Sequence, residues 1–190
     1  MILAAGSSSR MKRKTKQLLE FEGKTLIRRA AETALAANFD SVVVILGKDA
    51  EKLKAQIGNL PVEIILNKNW KAGISSSIKA GLSAFPENGF DAAVIMLCDQ
   101  PFVSPELLRR LADGFRREKS LIAACKYQNT IGVPALFSAE MFSELLYLER
   151  DEGAKKIIKK HIEKTFFIEA QEAAFDIDTF QDYEKLSVID

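Results

Sequence analysis

A run of small residues near the start of the chain has the composition of a phosphate-binding loop. Residues 3–11 read LAAGSSSRM, and Lys16 follows five positions later. Glycine and serine let backbone N–H groups approach an anion closely, and Arg10 and Lys16 add positive charge that suits phosphate oxygens. The spacing matches neither the P-loop of the NTPases nor the dinucleotide fingerprint G-x-G-x-x-G. The alternative interpretation is a flexible turn with solvated basic residues.

Carboxylates occur where they could hold a metal ion against a phosphate. Asp99 comes just after the apolar run AAVIML at residues 92–97 and before a Gln-Pro pair. A carboxylate at the carboxyl end of a strand can hold Mg²⁺, although a turn-forming aspartate explains this spacing equally well. Near the end of the chain, Asp176 and Asp178 alternate with apolar residues, so in a strand both would project from one face.

Two further loops contain residues that could select substrates. Residues 67–77 read NKNWKAGISSS, and hydroxyl and N–H groups at the start of a helix suit a phosphate, a ribose or the edge of a base. The alternative is ordinary helix capping, which needs only one of these serines. Gly132 and Pro134 flank a valine, a pattern that a simple turn before a strand also explains.

Short apolar runs alternate with amphipathic stretches along the chain, which predicts an α/β fold. Strands are expected at residues 2–5, 41–46, 62–66, 92–97, 121–126, 135–137 and 165–168. Helices are expected at residues 26–38, 49–57, 75–85, 105–117, 139–148, 153–161 and 179–186. This order predicts a layered, mostly parallel sheet in a single domain spanning residues 1–190, with ligands at the carboxyl ends of the strands.

Composition argues against several other classes of protein. The 190 residues include 27 Lys and Arg against 26 Asp and Glu, so neither nucleic acid nor a membrane is an expected partner. Cys98 and Cys125 lie in apolar runs and are expected to be reduced core residues. With one histidine, His161, expected on a solvated helix face, a Ser-His-Asp triad is not expected. No apolar run is long enough to cross a bilayer, and a cytoplasmic location is expected.

The sequence resembles a known family in several segments. Residues 3–11 with KQLLEFEGKTLI at 16–27 resemble the opening of the MobA-like nucleotidyltransferases, most closely the molybdenum cofactor cytidylyltransferases. The segments that agree in order are NKNWKAGISSS at 67–77, LCDQPF at 97–102, GVPALF at 132–137 and DIDTFQDY at 176–183, with RDEGAKKI at 150–157 also similar. Lys12 replaces the family's glycine, the loop to Lys16 is one residue longer, and Phe180 replaces a proline.

The resemblance implies a three-layer α/β/α, Rossmann-like fold of the nucleotide-diphospho-sugar transferase (GT-A-like) type, and an Mg²⁺-dependent enzyme. It implies Asp99 and Asp178 as metal ligands, with Asp176 beside them, and Arg10, Lys16 and Asp99 as catalytic residues. The implied nucleotide contacts are Leu3, Ala4, Ala5, Gly6, Ser7, Ser8, Ser9, Arg10, Lys16, Asn67, Gly73 and Ser77. The implied contacts to the second substrate are Gln100, Pro101, Gly132 and Pro134.

The expected reaction is transfer of CMP from CTP to the terminal phosphate of molybdopterin, with release of pyrophosphate. The LAAG form of the loop resembles the cytidine-using branch more than the guanosine-using branch. A phosphate monoester is largely ionised at neutral pH, so no general base is required. The alternatives are transfer to another phosphorylated acceptor, such as a sugar 1-phosphate, and a non-catalytic nucleotide-binding accessory protein for molybdoenzyme maturation. A molybdoenzyme or its maturation factor is the expected protein partner.

Overall fold

Strands and helices alternate along the chain in the computed structural model, which describes residues 1–7, 11, 15–86 and 89–186. The strands are β1 (Ile2–Ala4), β2 (Glu20–Phe21), β3 (Lys24–Thr25), β4 (Val43–Leu46), β5 (Glu63–Leu66), β6 (Ala92–Leu97), β7 (Ile122–Tyr127), β8 (Thr130–Ser138) and β9 (Thr165–Glu169). The helices are α1 (Leu26–Ala36), α2 (Ala50–Ile57), α3 (Ile74–Leu82), α4 (Pro105–Glu118), α5 (Phe142–Leu146), α6 (Ala154–Lys160) and α7 (Phe180–Leu186).

Seven of these strands form one sheet in the order β5-β4-β1-β6-β8-β7-β9, and β2 and β3 form a separate hairpin. The pairs are parallel except where β8 lies antiparallel to its neighbours β6 and β7. The chain runs outward from β1 through β4 to β5 and then returns to β6 on the other side of β1. In open sheets of this kind, the crevice at such a reversal is where ligands bind.

Both faces of the sheet are covered by helices. In β4, Val44 and Leu46 belong to a buried cluster that contains residues of α1, α2 and α4. Val43 and Ile45 point to the opposite face and belong to a cluster that contains residues of α3 and α6. Because both faces of the sheet are covered, its central strands are continuous apolar runs. The predicted three-layer, mostly parallel fold is confirmed.

The structure corrects several predicted elements. The strand expected at 135–137 is the end of the much longer β8, and the β2–β3 hairpin was not predicted. The helix expected at 139–148 is a 3₁₀ turn, Ala139–Met141, followed by the short α5. Residues 175–178 do not form a strand, so the common face that a strand would have given to Asp176 and Asp178 is absent. The start of α3 is capped by Gly73, with no side-chain cap from a serine.

Other predictions concern single residues. Both cysteines are free and buried, as predicted. His161 is not on a solvated face: its side chain is 17% exposed, and its Nε2 lies 2.9 Å from Oε1 of Glu144. No helix in the described ranges is both long and apolar enough to cross a membrane.

Candidate functional site

A cavity of about 300 Å³ opens at the carboxyl ends of β1 and β6, where the strand order reverses. Its walls come from the loop after β1, the 3₁₀ turn Lys16–Leu18, the start of α3, the end of β6 and the segment before α7. The lining residues are Leu3, Ala5, Gly6, Lys16, Gln17, Trp70, Gly73, Ile74, Ser77, Leu97, Cys98, Asp99 and Asp178. Residues that were predicted from four separate segments therefore share one cavity.

The cavity has a charged centre in which Lys16 contacts two carboxylates. Its Nζ donates hydrogen bonds to the carboxylate of Asp99 and, at 3.1 Å, to Oδ1 of Asp178. The Lys16 and Asp99 side chains are 14% and 13% exposed, whereas Asp178 is 49% exposed. Burial disfavours the charge on Lys16, but attraction and hydrogen bonding by the two carboxylates outweigh it and raise the pKa of the lysine. Lys16 is therefore a permanent positive charge at this site.

Asp99 retains unused capacity to accept a ligand. Its Oδ1 is buried and has no hydrogen-bond partner among the residues that the structure describes. A buried carboxylate oxygen without a donor is costly, and an oxygen-seeking cation would satisfy it. Within the described part of the chain, no group of three or more metal-binding side chains forms a complete metal site. One or two carboxylates that leave room for phosphate oxygens and water are the usual protein contribution to an Mg²⁺ site.

The segment before α7 is brought to the cavity by a backbone contact. Ile177 is fully buried, and its N–H donates to the carbonyl of Asp99 at 3.0 Å. This tether places Asp178 against Lys16. Burial, together with repulsion from Asp99 and Asp178, raises the pKa of Asp176 to about 6. The three carboxylates thus share one region of the molecule without belonging to a strand.

The loop after β1 is fixed by a buried glutamine that the sequence analysis missed. Gln17 is almost completely buried, and its Nε2 donates to the carbonyls of Ala4 at 3.2 Å and Gly6 at 3.1 Å. Further on, Lys48 Nζ donates to the carbonyl of Ser7 at 3.2 Å. The predicted contacts at Ser8, Ser9 and Arg10 lie outside the described residues.

The start of α3 forms another wall. Gly73 has a φ of 96°, and a Cβ at this position would lie 2.2 Å from the carbonyl oxygen of Arg150, so glycine is required. Ser77, which the resemblance implies as a nucleotide contact, lines the cavity. Asn67 does not line it: its Nδ2 donates to Ser76 Oγ at 2.8 Å and Ser77 Oγ at 3.1 Å. The structure therefore makes Asn67 a residue that positions this wall.

Several residues predicted to contact substrates lie away from the cavity wall. Ala4 is buried in the sheet, with its side chain in the cluster on the other face. Ser7 also lies outside the lining, where its carbonyl accepts the bond from Lys48. Ala4 belongs to β1 and Ser7 to the loop that follows it, and neither is among the residues that line the cavity.

The residues predicted for the second substrate are buried and are not among those that line the cavity. Gln100 Nε2 donates to the carbonyls of Val133 at 3.2 Å and Ala173 at 2.9 Å, which ties β6 to β8 and to the segment before α7. The carbonyl of Pro101 accepts a bond from Arg29 Nε at 2.7 Å.

Gly132 and Pro134 lie inside β8, so the turn considered for them is wrong. A Cβ on Gly132 would lie 2.6 Å from the hydroxyl oxygen of Tyr127. The spacing of these residues indicated a turn because glycine and proline are uncommon within strands.

Other lining residues also escaped the sequence analysis. Trp70 could be interpreted either as a loop anchor or as a lining residue, Ile74 lay in the segment at 67–77 without an assigned role, and Leu97 and Cys98 were counted only as strand or core residues. Each lies within three positions of a predicted site residue, which is the signal that could have identified it. Burial, and secondarily the charge of Asp99, raises the pKa of the Cys98 thiol to about 12, so this thiol stays protonated.

Comparison with known proteins places these features in a family context. The MobA-like NTP transferase domain matches residues 1–165. The chain is 37% identical over 117 residues to nicotine blue oxidoreductase of Paenarthrobacter nicotinovorans, covering 61% of this chain and 56% of that protein. It therefore spans only about half the length of that relative. It is 27% identical over 195 residues to purine catabolism protein PucB of Bacillus subtilis strain 168, covering 97% of this chain and 93% of that protein.

Solved structures share the fold of this chain. A homologue of Rv0371c from Mycobacterium sp. strain JC1 is 30% identical, with a TM-score of 0.85 over 99% of this chain and 94% of that chain. Rv0371c of Mycobacterium tuberculosis, in complex with manganese, is 28% identical, with a TM-score of 0.80 over 97% and 95% of the two chains. Molybdopterin-guanine dinucleotide biosynthesis protein A of Archaeoglobus fulgidus shares the fold, with 20% identity and a TM-score of 0.72 over 99% and 96%.

Proposed function

This chain belongs to the MobA-like NTP transferase family, and on that premise we propose that it transfers CMP from CTP to the terminal phosphate of a molybdopterin-type acceptor, releasing pyrophosphate. The observation that carries this proposal is the contact of Lys16 with Asp99 and Asp178 in the cavity where the strand order reverses. A fixed cation and two carboxylates beside a tight backbone loop form the charge arrangement that a metal-bound triphosphate requires.

Asp99 and Asp178 would hold Mg²⁺. The buried, unpartnered Oδ1 of Asp99 and the all-oxygen donor set fit this ion. When bound, the ion neutralises the negative charge that accumulates on the triphosphate during transfer. The manganese complex of Rv0371c supports a divalent ion in this family.

The reaction joins an oxygen of the acceptor phosphate to the α-phosphorus and breaks the bond between that phosphorus and the oxygen leading to the β-phosphate. Lys16 stays charged and donates to the triphosphate oxygens as pyrophosphate leaves. The acceptor phosphate is already ionised near neutral pH, so no side chain has to remove a proton. The Cys98 thiol beside Asp99 stays protonated, so it does not serve as a base either.

The preference for cytidine is supported by Ala5. This residue is buried and lines the cavity, so its methyl group occupies space on the wall. The guanosine-using branch, by resemblance, has glycine at this position. A narrower cavity favours the smaller pyrimidine ring over a purine. Gln100, Pro101, Gly132 and Pro134 remain the predicted acceptor side.

The test is release of pyrophosphate by the purified protein with Mg²⁺, each of the four NTPs and a molybdopterin acceptor. We expect turnover with CTP and a loss of at least about 100-fold in Asp99→Asn. Asp113→Asn, an exposed carboxylate on α4, is the control and should retain full activity. Activity only with GTP, or only with a sugar 1-phosphate, would replace the proposed substrates. Tight CTP binding without turnover would favour the non-catalytic alternative.

A further inference from the structure

The chain's single tryptophan lies on the wall of the cavity. Trp70 is half-buried and begins the 3₁₀ turn Trp70–Ala72 between β5 and α3. The turn is anchored because Oδ1 of Asn67 accepts a bond from the N–H of Asn69 at 2.9 Å. Lys71 Nζ lies 5.5 Å from the centroid of the indole ring, a cation–π distance. The aromatic ring therefore has a defined position beside the cavity.

A glycine behind Trp70 brings two other loops into contact with it. Gly47 directly follows β4, and a Cβ at Gly47 would lie 2.7 Å from Trp70 Cβ and 2.8 Å from both Cβ and O of Ala5. These distances are far below van der Waals contact, so only glycine allows the end of β4 to pack between the end of β1 and Trp70. The absence of a side chain at Gly47 fixes how close Trp70 lies to Ala5.

The order of the strands separates Trp70 from the charged centre. Trp70 packs at the end of β4, whereas Asp99 follows β6, and β1 lies between these two strands. Two strand spacings correspond to roughly 10 Å across the sheet. The cavity thus has an aromatic end at Trp70 and an ionic end at Lys16 and Asp99, and the backbone of the β1 loop connects them.

We propose that the indole ring of Trp70 stacks on the base of the bound nucleotide, and that Gly47 sets the position of this ring. The inference rests on the proposed function, which supplies the nucleotide. The two ends of a nucleoside triphosphate match the two ends of the cavity: it has a flat aromatic base at one end and a polyanion at the other. Aromatic side chains bind the π-face of any base, so Trp70 contributes affinity while Ala5 limits size.

Intrinsic fluorescence reports this contact directly because Trp70 is the chain's only tryptophan. The protein is titrated with CTP and, separately, with inorganic tripolyphosphate, which has the charge but no base. We expect CTP to quench the indole emission and tripolyphosphate to bind in competition with CTP while leaving the emission nearly unchanged.

Variants then measure the energetic role of the ring by calorimetry. Trp70→Leu should weaken CTP binding by about tenfold, whereas Trp70→Phe should stay within about threefold of the parent protein. Both should bind tripolyphosphate like the parent, which also verifies that they are folded. Tyr147→Leu changes an aromatic residue that is 83% exposed and outside the cavity lining, so it should change neither affinity.

Gly47→Ala tests whether Gly47 sets the position of the ring, and it keeps Trp70 as the fluorescent reporter. The added methyl group should weaken CTP binding and reduce the quenching, with tripolyphosphate binding retained.

If CTP binds without quenching and Trp70→Leu binds it normally, the stacking assignment is wrong while the proposed function survives. Equal quenching by tripolyphosphate would also overturn it, as would quenching by the pterin acceptor alone. Failure of both CTP and tripolyphosphate to bind would remove the proposed function, and this inference with it.

Discussion

Lys16 contacts the same two carboxylates that we propose as metal ligands, so the lysine and a divalent ion would be held by the same groups, although Oδ1 of Asp99 is not bonded to the lysine. Asp99 is nearly buried and needs a neighbouring positive charge in either state. An ammonium group and a divalent ion held side by side on the same carboxylates would repel each other strongly. We therefore infer that a triphosphate, by drawing Lys16 toward its own oxygens, makes the carboxylates available to the ion. Metal and nucleotide should bind cooperatively.

Lys16→Met should change the affinities for the metal ion and for the nucleotide in opposite directions. Without the competing ammonium group, the affinity for Mn²⁺ in the absence of nucleotide should rise by about tenfold, equivalent to about 1.4 kcal/mol. The affinity for CTP should fall because a fixed positive charge is lost. Mn²⁺ binding followed by electron paramagnetic resonance checks the first effect, and calorimetry checks the second. Lys68→Met, at an exposed position, is the control. Unchanged Mn²⁺ affinity in Lys16→Met would show that the lysine does not compete.

At the scale of elements, Gln17 connects the 3₁₀ turn Lys16–Leu18 to the loop after β1. Gln17→Leu keeps the approximate volume but leaves the carbonyls of Ala4 and Gly6 without this donor. We expect a loss of about 1–3 kcal/mol in the free energy of unfolding, measured with urea, and weaker CTP binding. Gln56→Leu on α2 is the control and should change stability by no more than about 0.5 kcal/mol. A stable Gln17→Leu protein with normal CTP affinity would contradict this role.

Glu144 joins α5 to the end of α6 and explains why His161 is not solvated. Hydrogen bonds from Lys160 and, as the smaller effect, from His161 hold the pKa of Glu144 below its ordinary value of 4.5. A carboxyl group with a lowered pKa stabilises the fold at pH values above that ordinary value. This contribution disappears as the pH falls through the lowered value, because the folded protein then takes up the proton too.

Glu144→Gln should therefore lower the free energy of unfolding by up to about 1 kcal/mol at pH 7, and by progressively less below pH 4.5. Urea denaturation at a series of pH values measures the difference. Glu140→Gln, at an exposed glutamate in the preceding turn, is the control substitution. A pH-independent difference for Glu144→Gln would mean that the charge is not the source of the stabilisation.

The sequence predicted those elements whose apolar residues are continuous or periodic. The strand at 92–97 was predicted at its observed bounds because all of it is apolar. The hairpin of β2 and β3 escaped because two-residue strands have no periodicity, and its turn depends on positive φ at Glu22 and Gly23. The alternation around Asp176 does not mark a strand, because one buried residue, Ile177, gives the same pattern in an irregular segment.

At the scale of the whole molecule, α4 packs against β9 through a glycine. A Cβ on Gly114 would lie 2.1 Å from the ring of Phe166, which is rigid. Gly114→Ala should destabilise the fold by about 1–2 kcal/mol, because overpacking outweighs the better helix propensity of alanine. CTP affinity of the folded protein should be unchanged, since neither residue lines the cavity.

Thermal unfolding of Gly114→Ala and calorimetry with CTP check these two expectations. Asp113→Ala, at the adjacent exposed position, gains helix propensity without a clash and should be at least as stable as the parent protein. Equal stabilisation by both substitutions would show that Phe166 moves aside freely.

The candidate site was partly predictable because ligands of such sheets lie at the carboxyl ends of strands. Lys16, Asp99 and Asp178 follow from that rule together with the resemblance, and the structure brings them into contact. Sequence spacing could not show that Asn67 and Gln100 direct their amides into the protein, because the same residue types serve buried loops and ligand sites. Only the folded arrangement distinguishes the two uses.

The contact between Gly73 and Arg150 has a consequence for the order in which the molecule is assembled. The wall at the start of α3 rests on a carbonyl from a segment more than seventy residues later, which also accepts a bond from the N–H of Ser75 at 3.1 Å. Asp178 enters later still. During synthesis on the ribosome, a chain that has reached only β7 already contains the β1 loop and Asp99, yet it cannot close the cavity. Nucleotide binding at this cavity therefore becomes possible only when the segment around Asp178 has emerged.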